Sequence, residues 1–322
     1  MSVSTVAVLR GGPSAEYDVS MQTGAGVLGS LSELKIKTKD ITISRKGEWL
    51  IEGFVKSPEI ALTGVDVVFI ALHGAYGEDG SVQRILERLA VPYTGSKPFA
   101  SAVAMNKLLT KQHLADLDIK TPQSMRVTKE KTKDPFQTAL GIGTLFGPRY
   151  FIKPMTGGSS IGIQTAENVQ ELGLSLRELL KEYDDLLVEE LIVGREATVG
   201  ILENYRGSPL YDLPTVEIIP PAESKYFAAD VKYTGATEEI CPGRFTKTEK
   251  GELARIAQTV HKELGLRHYS RSDYIVADDG IYFLEVNTLP GLTKESLFPK
   301  SIEAVGGKYG ELVEHLIAQA TL

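Results

Sequence analysis

Val65-Asp-Val-Val-Phe-Ile-Ala-Leu72 is apolar almost throughout and runs directly into His73-Gly-Ala-Tyr-Gly-Glu-Asp-Gly80. A short strand without polar alternation must be covered on both faces, as the strands of parallel sheets are. Upstream, Thr5 to Leu9 repeats the plan: a β-branched run that stops at Gly11-Gly12-Pro13-Ser14. With a further strand near Ile36 to Ile43, and a helix capped by Asp18 or Ser20 between, this predicts a βαβ-like start and an α/β fold. In open parallel sheets ligands bind beyond the carboxyl ends of strands, so the loops after Leu9 and Leu72 are expected to face one crevice.

Further along, Ser81 to Leu89 and Ala102 to Leu117 read as helices. Arg149 to Pro154 reads as a strand, and Met155 to Gly162 as a loop before another strand and an amphipathic helix from Glu167 to Tyr183. Beyond Leu186 the pattern becomes antiparallel, with a hairpin around Tyr205-Arg-Gly-Ser-Pro209. Pro220 to Gly243 has adjacent prolines, several charges and little periodicity, and loops of that length are usually functional or disordered. Helices near Thr246 to Leu264 and Lys308 to Ala320 flank the last strands.

The 322 residues allow about two domains at roughly 150 residues each. Hydrophobic residues make up 42% and charged residues 24%, which excludes disordered, collagen-like and coiled-coil chains. The balance of 35 basic against 42 acidic residues gives −7, against general nucleic-acid binding. Cys241 is the sole cysteine, so neither a disulfide framework nor a Cys-ligated zinc site can form within one chain. Met1 to Arg10 has neither a basic start nor a long apolar stretch, and no segment approaches the ~20 apolar residues of a membrane span. A cytoplasmic location without membrane insertion is expected. Glycine is in excess, 31 residues, and much of that excess sits in a few loops.

The densest chemistry is Arg271-Ser-Asp273-Tyr-Ile-Val-Ala, the turn Asp278-Asp279-Gly280, and Ile281-Tyr-Phe-Leu-Glu285-Val-Asn287. A three-residue hairpin loop pairs Ala277 with Ile281, and counting back pairs Asp273 with Glu285 and Arg271 with Asn287. The polar four then share one face, while Tyr274, Val276, Tyr282, Leu284 and Val286 share the other. Facing carboxylates repel unless a cation lies between them. A divalent ion held by Asp273, Glu285 and Asn287 resolves this, magnesium foremost; a solvated face with Arg271 as counter-ion is the alternative.

The Lys153-to-Gly162 loop can turn backbone N–H groups and hydroxyls toward an anion, or be a hairpin tip; no Walker A sequence occurs. Gly24-Ala-Gly26-Val-Leu-Gly29 matches the dinucleotide fingerprint in form only, since it begins well past a strand, and helix packing explains it. His73 beside Glu78 and Asp79, and Ser159, have no sequence-local partner that makes a triad.

Taken together, Gly11-Gly-Pro-Ser-Ala-Glu16-Tyr-Asp-Val-Ser20, His73 to Gly80, Pro92-Tyr-Thr-Gly-Ser96, Lys153-Pro-Met-Thr-Gly-Gly-Ser-Ser-Ile-Gly162 and Glu285-Val-Asn-Thr-Leu-Pro-Gly-Leu-Thr293 with Ser296-Leu297 resemble the D-alanine–D-alanine ligases of the ATP-grasp superfamily. The resemblance runs from about Val6 to Val305, in order. It implies three consecutive domains: an N-terminal Rossmann-like pre-ATP-grasp domain at 1–97, a small ATP-grasp domain at 98–185, and a C-terminal α+β ATP-grasp domain at 186–322 with a lid at about 220–243.

By motif position the resemblance sets Lys107, Lys153 and the loop of Ser159 and Ser160 at the phosphates of ATP, Glu189 and Glu196 near adenine and ribose, and Asp273, Glu285 and Asn287 at magnesium, with Lys232 counted among the ATP-binding residues. Asn287 is counted with the nucleotide too. Two ions are expected, with manganese able to substitute. Glu16 resembles the carboxylate on the first D-alanine's ammonium, with Ser159 and Tyr233 as companions and His73 near the same substrate. Arg271 and the Gly291 backbone correspond to the oxyanion donors, and Ser296 and Leu297 to the seat of the second D-alanine's carboxylate. The implied activity is ligation to D-alanyl-D-alanine through an acyl phosphate, for peptidoglycan precursors, by a homodimer. Tyr233, where D-lactate-using relatives tend to carry His, favours the amine acceptor. Asn106 before Lys107, Tyr17 and Ser272 depart from the family pattern. Another acceptor, or a nucleotide-binding protein without turnover, remains as an alternative.

Overall fold

The computed structural model describes residues 3–155, 162–221 and 237–322. Its first module is a sheet of order β4-β3-β2-β1-β5, formed by β1 (Thr5–Gly11), β2 (Lys37–Ile43), β3 (Trp49–Ile51), β4 (Phe54–Lys56) and β5 (Val67–Ile70). β1 lies parallel between β2 and β5, its Val6 to Leu9 fully buried. Chain reversal on either side of β1 opens the crevice expected beyond Gly11 and Leu72. Gly11 needs to be glycine: its φ is +91°, and a Cβ would sit 2.4 Å from the Ile43 carbonyl oxygen.

The helix α1 (Tyr17–Glu33) starts differently from expectation. Its N-cap is Glu16, without a side-chain cap, and neither Asp18 nor Ser20 caps it. Ser20 instead accepts from Gly11 N–H at 2.7 Å and donates to the Ala71 carbonyl at 2.8 Å. That stitch joins the ends of the two strands, which is worth more to a buried hydroxyl than a solvent-facing cap. The helix expected over Ala102 to Leu117 is broken as well, into α4 (Pro98–Met105) and α5 (Lys107–Leu114), after α2 (Pro58–Ala61) and α3 (Ser81–Arg88). Asn106 is extended between them and caps α5, its Oδ1 accepting from Leu109 N–H at 3.1 Å. Asn and Asp cap equally well, which explains why the departure at 106 is tolerated.

The second module is an antiparallel sheet of order β6-β9-β7-β8: β6 (Ser124–Thr128), β7 (Tyr150–Pro154), β8 (Gln164–Ala166) and β9 (Asp185–Glu190), backed by α6 (Pro135–Gly143) and α7 (Val169–Glu182). β9 is its inner strand, so this sheet runs to Glu190, past the boundary expected at 185.

The third module is antiparallel, order β13-β12-β10-β14-β15 with β11 also on β10: β10 (Arg195–Tyr205), β11 (Ser208–Asp212), β12 (Val216–Ile219), β13 (Glu238–Ile240), β14 (Tyr269–Ala277) and β15 (Gly280–Asn287). Behind it lies α8 (Lys247–Glu263), entered by a capping box of Thr246 and Glu249. The chain ends in α9 (Leu297–Ala304) and α10 (Tyr309–Ala320). Leu312, Val313, Leu316 and Ile317 of α10 join the same buried cluster as β1 and β5, so the last helix closes the core of the first module.

First and third modules also dock through the Pro92–Ser96 loop. Arg267 N–H donates to Ser96 Oγ at 3.1 Å, and Gly95 N–H donates to His268 Nδ1 at 3.0 Å. A ring nitrogen that accepts is unprotonated. Burial and the neighbouring Arg267 accordingly push the His268 pKa down to about 4 from 6.5. Folding therefore loses a stabilising contribution as pH falls from the unfolded-state value through the folded one, about 2 kcal/mol between pH 7 and pH 5. His268→Asn keeps an acceptor at the δ position but cannot titrate. Its urea-unfolding free energy is expected to fall less than the parent's over that interval by this amount; parallel curves would contradict it.

Candidate active site

The β14/β15 hairpin delivers the expected polar face by an unexpected route. Its turn has two residues, not three: Ala277 pairs with Gly280 and Tyr274 with Phe283. A bulge between Asp273 and Tyr274 then absorbs Leu284, which restores Asp273 opposite Glu285 and Arg271 opposite Asn287. The apolar face is corrected accordingly. Phe283, not Tyr282 or Leu284, is buried against Tyr274, the ring centroids 5.9 Å apart, while the Tyr282 hydroxyl donates to Asp279 at 2.6 Å.

On the polar face Arg271 donates to Asp273 twice, from Nε and Nη2, each at 2.9 Å. Thr198 Oγ1 on β10 donates to Asp273 Oδ1 at 2.7 Å and Asn287 Nδ2 to Oδ2 at 3.1 Å. Burial opposes the Arg271 charge, yet Asp273, with Glu285 and Glu78 beyond, pushes the guanidinium pKa up. Lys107 Nζ lies 3.4 Å from Glu285 Oε2. Glu196, opposite Ile275 and two residues from Thr198, shares this face by strand alternation.

Glu16, His73, Glu78, Lys107, Arg271, Glu285, Asn287, Gly291, Ser296 and Leu297 line one cleft of about 1570 Å³. Loops beyond the carboxyl ends of β1 and β5 in the first module present Glu16, His73 and Glu78; the third module presents the rest apart from Lys107. Gly74, at φ +66°, leaves room for Glu16, whose Oε2 would be 2.7 Å from a Cβ there. Ser296 Oγ accepts from Thr293 N–H at 3.1 Å and lies 2.9 Å from where a Cβ on Gly291 would be, so the Gly291 backbone stands directly over it. α9 starts at Leu297 with no side-chain cap from Ser296, and the Leu297 and Phe298 N–H groups, which among the described residues meet no hydrogen-bond partner, make an anion seat at the cleft.

Lys153 and Glu189 are placed outside this cleft's lining, on adjacent strands of the second module. Lys153 Nζ is 2.6 Å from Glu189 Oε2. The predicted Ser159, Ser160, Lys232 and Tyr233 lie outside the described residues.

Sequence reasoning noted Glu78 beside His73 but assigned it no role; it is 9% exposed. Its Oε1 accepts from Leu289 N–H at 2.8 Å and its Oε2 from Gly74 N–H at 3.0 Å. Burial, then the nearby Glu16 charge, pushes its pKa up to about 7. His73 grips the same residue from the other side. Its Nδ1 donates to the Leu289 carbonyl at 3.0 Å, and Nε2 accepts from Thr23 Oγ1 at 2.9 Å. Lys111, one helical turn after Lys107, was missed too; the i, i+4 repeat of lysine on α5 was its signal.

The arrangement of two sheets over a parallel-sheet module is that of an ATP-grasp protein. Family models for the D-ala D-ala ligase N-terminus and C-terminus match residues 52–96 and 114–318, and the chain belongs to the D-alanine–D-alanine ligase family. A D-alanine–D-alanine ligase of Syntrophotalea carbinolica is 39% identical, covering 98% of this chain and 96% of the relative. Among solved structures, the D-alanyl-alanine synthetase A of Vibrio cholerae is similar with a TM-score of 0.85 at 25% identity, each chain covered 100%. The VanG D-Ala:D-Ser ligase of Enterococcus faecalis follows at 0.83 and 28%, covering 99% of this chain and 100% of that one.

Proposed function

We propose that the protein joins two D-alanine molecules into D-alanyl-D-alanine, with conversion of ATP to ADP and phosphate by way of an acyl phosphate. The observation that carries this reading is the cleft in which a carboxylate (Glu16), a guanidinium (Arg271) and a helix N-terminus without a side-chain cap (α9) converge beside the Asp273–Glu285–Asn287 face. Those groups match an amino acid's ammonium, a developing oxyanion and a second carboxylate in turn.

A carboxylate resists attack by an amine until phosphorylated. Glu16 holds the first D-alanine by its ammonium, and Lys107 and Lys153 offset the charge of the transferring phosphoryl group. The second D-alanine, held by its carboxylate at Ser296 and the α9 N-terminus, brings its amine to the acyl phosphate carbonyl. The oxyanion that forms takes donors from Arg271 and Gly291 N–H. Arg271 can serve because Asp273 engages only Nε and Nη2, and among the described residues no hydrogen bond engages Nη1. Asp273, Glu285 and Asn287 offer hard oxygen donors on one face and fit magnesium, two ions in this reading. Magnesium, when bound, neutralises phosphate oxygens. Glu189 and Glu196 face the nucleoside in this reading, and the 220–243 segment with Lys232 and Tyr233 acts as the lid that keeps water from the acyl phosphate. A cytoplasmic homodimer serving peptidoglycan synthesis goes with it. No helix among the described residues is long and apolar enough to cross a membrane.

Incubation with ATP, magnesium and D-alanine is expected to give D-alanyl-D-alanine, ADP and phosphate, identified by mass. Added D-lactate or D-serine is expected to be taken poorly. AMP as the nucleotide product, or no dipeptide, would overturn the reading; a predominant mixed product would move it to another acceptor.

A further inference from the structure

The buried face of α5 carries lysines one turn apart, and each reaches a different sheet. Lys107 pairs with Glu285 on β15 of the large sheet, and Lys111 with Glu189 on β9 of the small one. Both lysines are under 10% exposed. Glu189 is 2% exposed, and its second oxygen is taken by Lys153 from β7. Lys111 Nζ also donates to the Pro122 carbonyl at 2.8 Å, in the link between α5 and β6. The cluster thus holds two ammonium groups and one carboxylate, away from water. Burial works against the Glu189 charge, but Lys153 and Lys111 keep its pKa below the usual carboxylate value.

From this geometry we infer that Lys111 is a positioning residue for nucleotide binding: by holding Glu189 it fixes Lys153 in the attitude that meets the nucleotide. The carboxylate has two oxygens. If only Lys153 held it, Glu189 could swing into a bidentate pair that occupies the Lys153 ammonium and neutralises it. With Lys111 on the other oxygen, among the described residues Lys153 makes its single ion pair at Oε2 and keeps N–H groups for an incoming anion. The Pro122 bond ties Lys111 to the link that leads into β6 of the small sheet.

The inference rests on the ligase reading for the nature of the ligand, and its test separates the two. ADP with magnesium, in the absence of D-alanine, is titrated calorimetrically into the full-length protein and its Lys111→Met variant. Loss of a charge-assisted bond of this kind is expected to weaken ADP binding by roughly ten-fold or more. In steady state, KM for ATP is expected to rise with it and kcat to fall, because the displaced Lys153 also meets the transferring phosphoryl group, while KM for D-alanine moves by less than about three-fold. Glu189→Gln and the Lys111→Met/Glu189→Gln double variant are expected to bind ADP equally, because Lys111 acts through that carboxylate. Lys111→Gln, which keeps a donor but no charge, takes the place of the Met variant if that fails to fold, with a loss of roughly five-fold expected. Parent-like ADP affinity in a folded Lys111 variant, or additive effects in the double variant, would overturn the inference. Normal ADP binding by the parent without any dipeptide synthesis would overturn the ligase reading alone.

Discussion

Replacing Arg271 by alanine is expected to lower turnover by at least roughly 100-fold while ATP binding changes little. The separation follows from where the guanidinium sits. It faces the cleft beside Gly291 and Ser296, and its contact with the nucleotide-side machinery is indirect, through Asp273. Asp273 keeps hydrogen bonds from Thr198 and Asn287 when Arg271 is gone, so the acidic face retains its shape. The missing donor matters only once negative charge develops on the attacked carbonyl, and an interaction made only then appears in kcat rather than in ground-state affinity. Arg271→Lys sharpens the test. Lysine keeps the charge but lacks the fork that holds Asp273 while presenting a further N–H, so a loss of about ten-fold or more is expected even with the charge conserved. Steady-state kinetics and ADP calorimetry on both variants give the comparison. Equal losses in kcat and ADP affinity would mean that Arg271 serves the structure of the acidic face instead.

What the sequence disclosed, and what it withheld, divides along physical lines. The parallel start was legible because Val65 to Leu72 has no polar alternation, and the glycine loops were legible because positive φ selects glycine, as at Gly11 and Gly74. The acidic face was legible through strand alternation, although the route to it was not. A one-residue error in the hairpin loop was cancelled by a bulge at Leu284, whose cause is tertiary: Phe283 takes the core position against Tyr274. No turn residue advertises such a bulge. The break at Asn106 was missed because an apolar run with helical spacing continues across it, even though Asn was the right residue for a new cap. Ser20 was read as a cap because sequence shows a hydroxyl near a helix start and cannot show the Ala71 carbonyl 51 residues on. Glu78 lies furthest beyond reading. Its partners are backbone N–H groups, one of them 211 residues away, and a backbone group has no side-chain signature.

Glu78→Gln is therefore expected to have the largest effect of any change outside the residues assigned to substrate. Leu289 is held at its N–H by Glu78 and at its carbonyl by His73, and it leads directly into Pro290 and Gly291. A carboxylate can accept from both Leu289 and Gly74; a carboxamide has one oxygen, and its NH2 must oppose the other N–H. The Leu289–Gly291 strap then loses a fixed point, the proposed oxyanion donor drifts, and kcat is expected to fall by roughly 10- to 100-fold with KM for ATP little changed. Stability is expected to move the other way with pH. Because burial and Glu16 raise the folded pKa to about 7, the folded state holds the Glu78 proton more tightly than the unfolded chain. The associated stabilisation is complete below the ordinary carboxylate pKa and is lost as pH rises through about 7. Glutamine cannot titrate, so between pH 6 and pH 8.5 the parent should lose about 1 kcal/mol more unfolding free energy than the variant. The kinetic and the stability measurements probe different consequences of one buried carboxylate. Parent-like kcat in the glutamine variant would show that the Leu289 strap is fixed by its other contacts, and matching pH–stability curves would show that Glu78 is ionised in both states across that range.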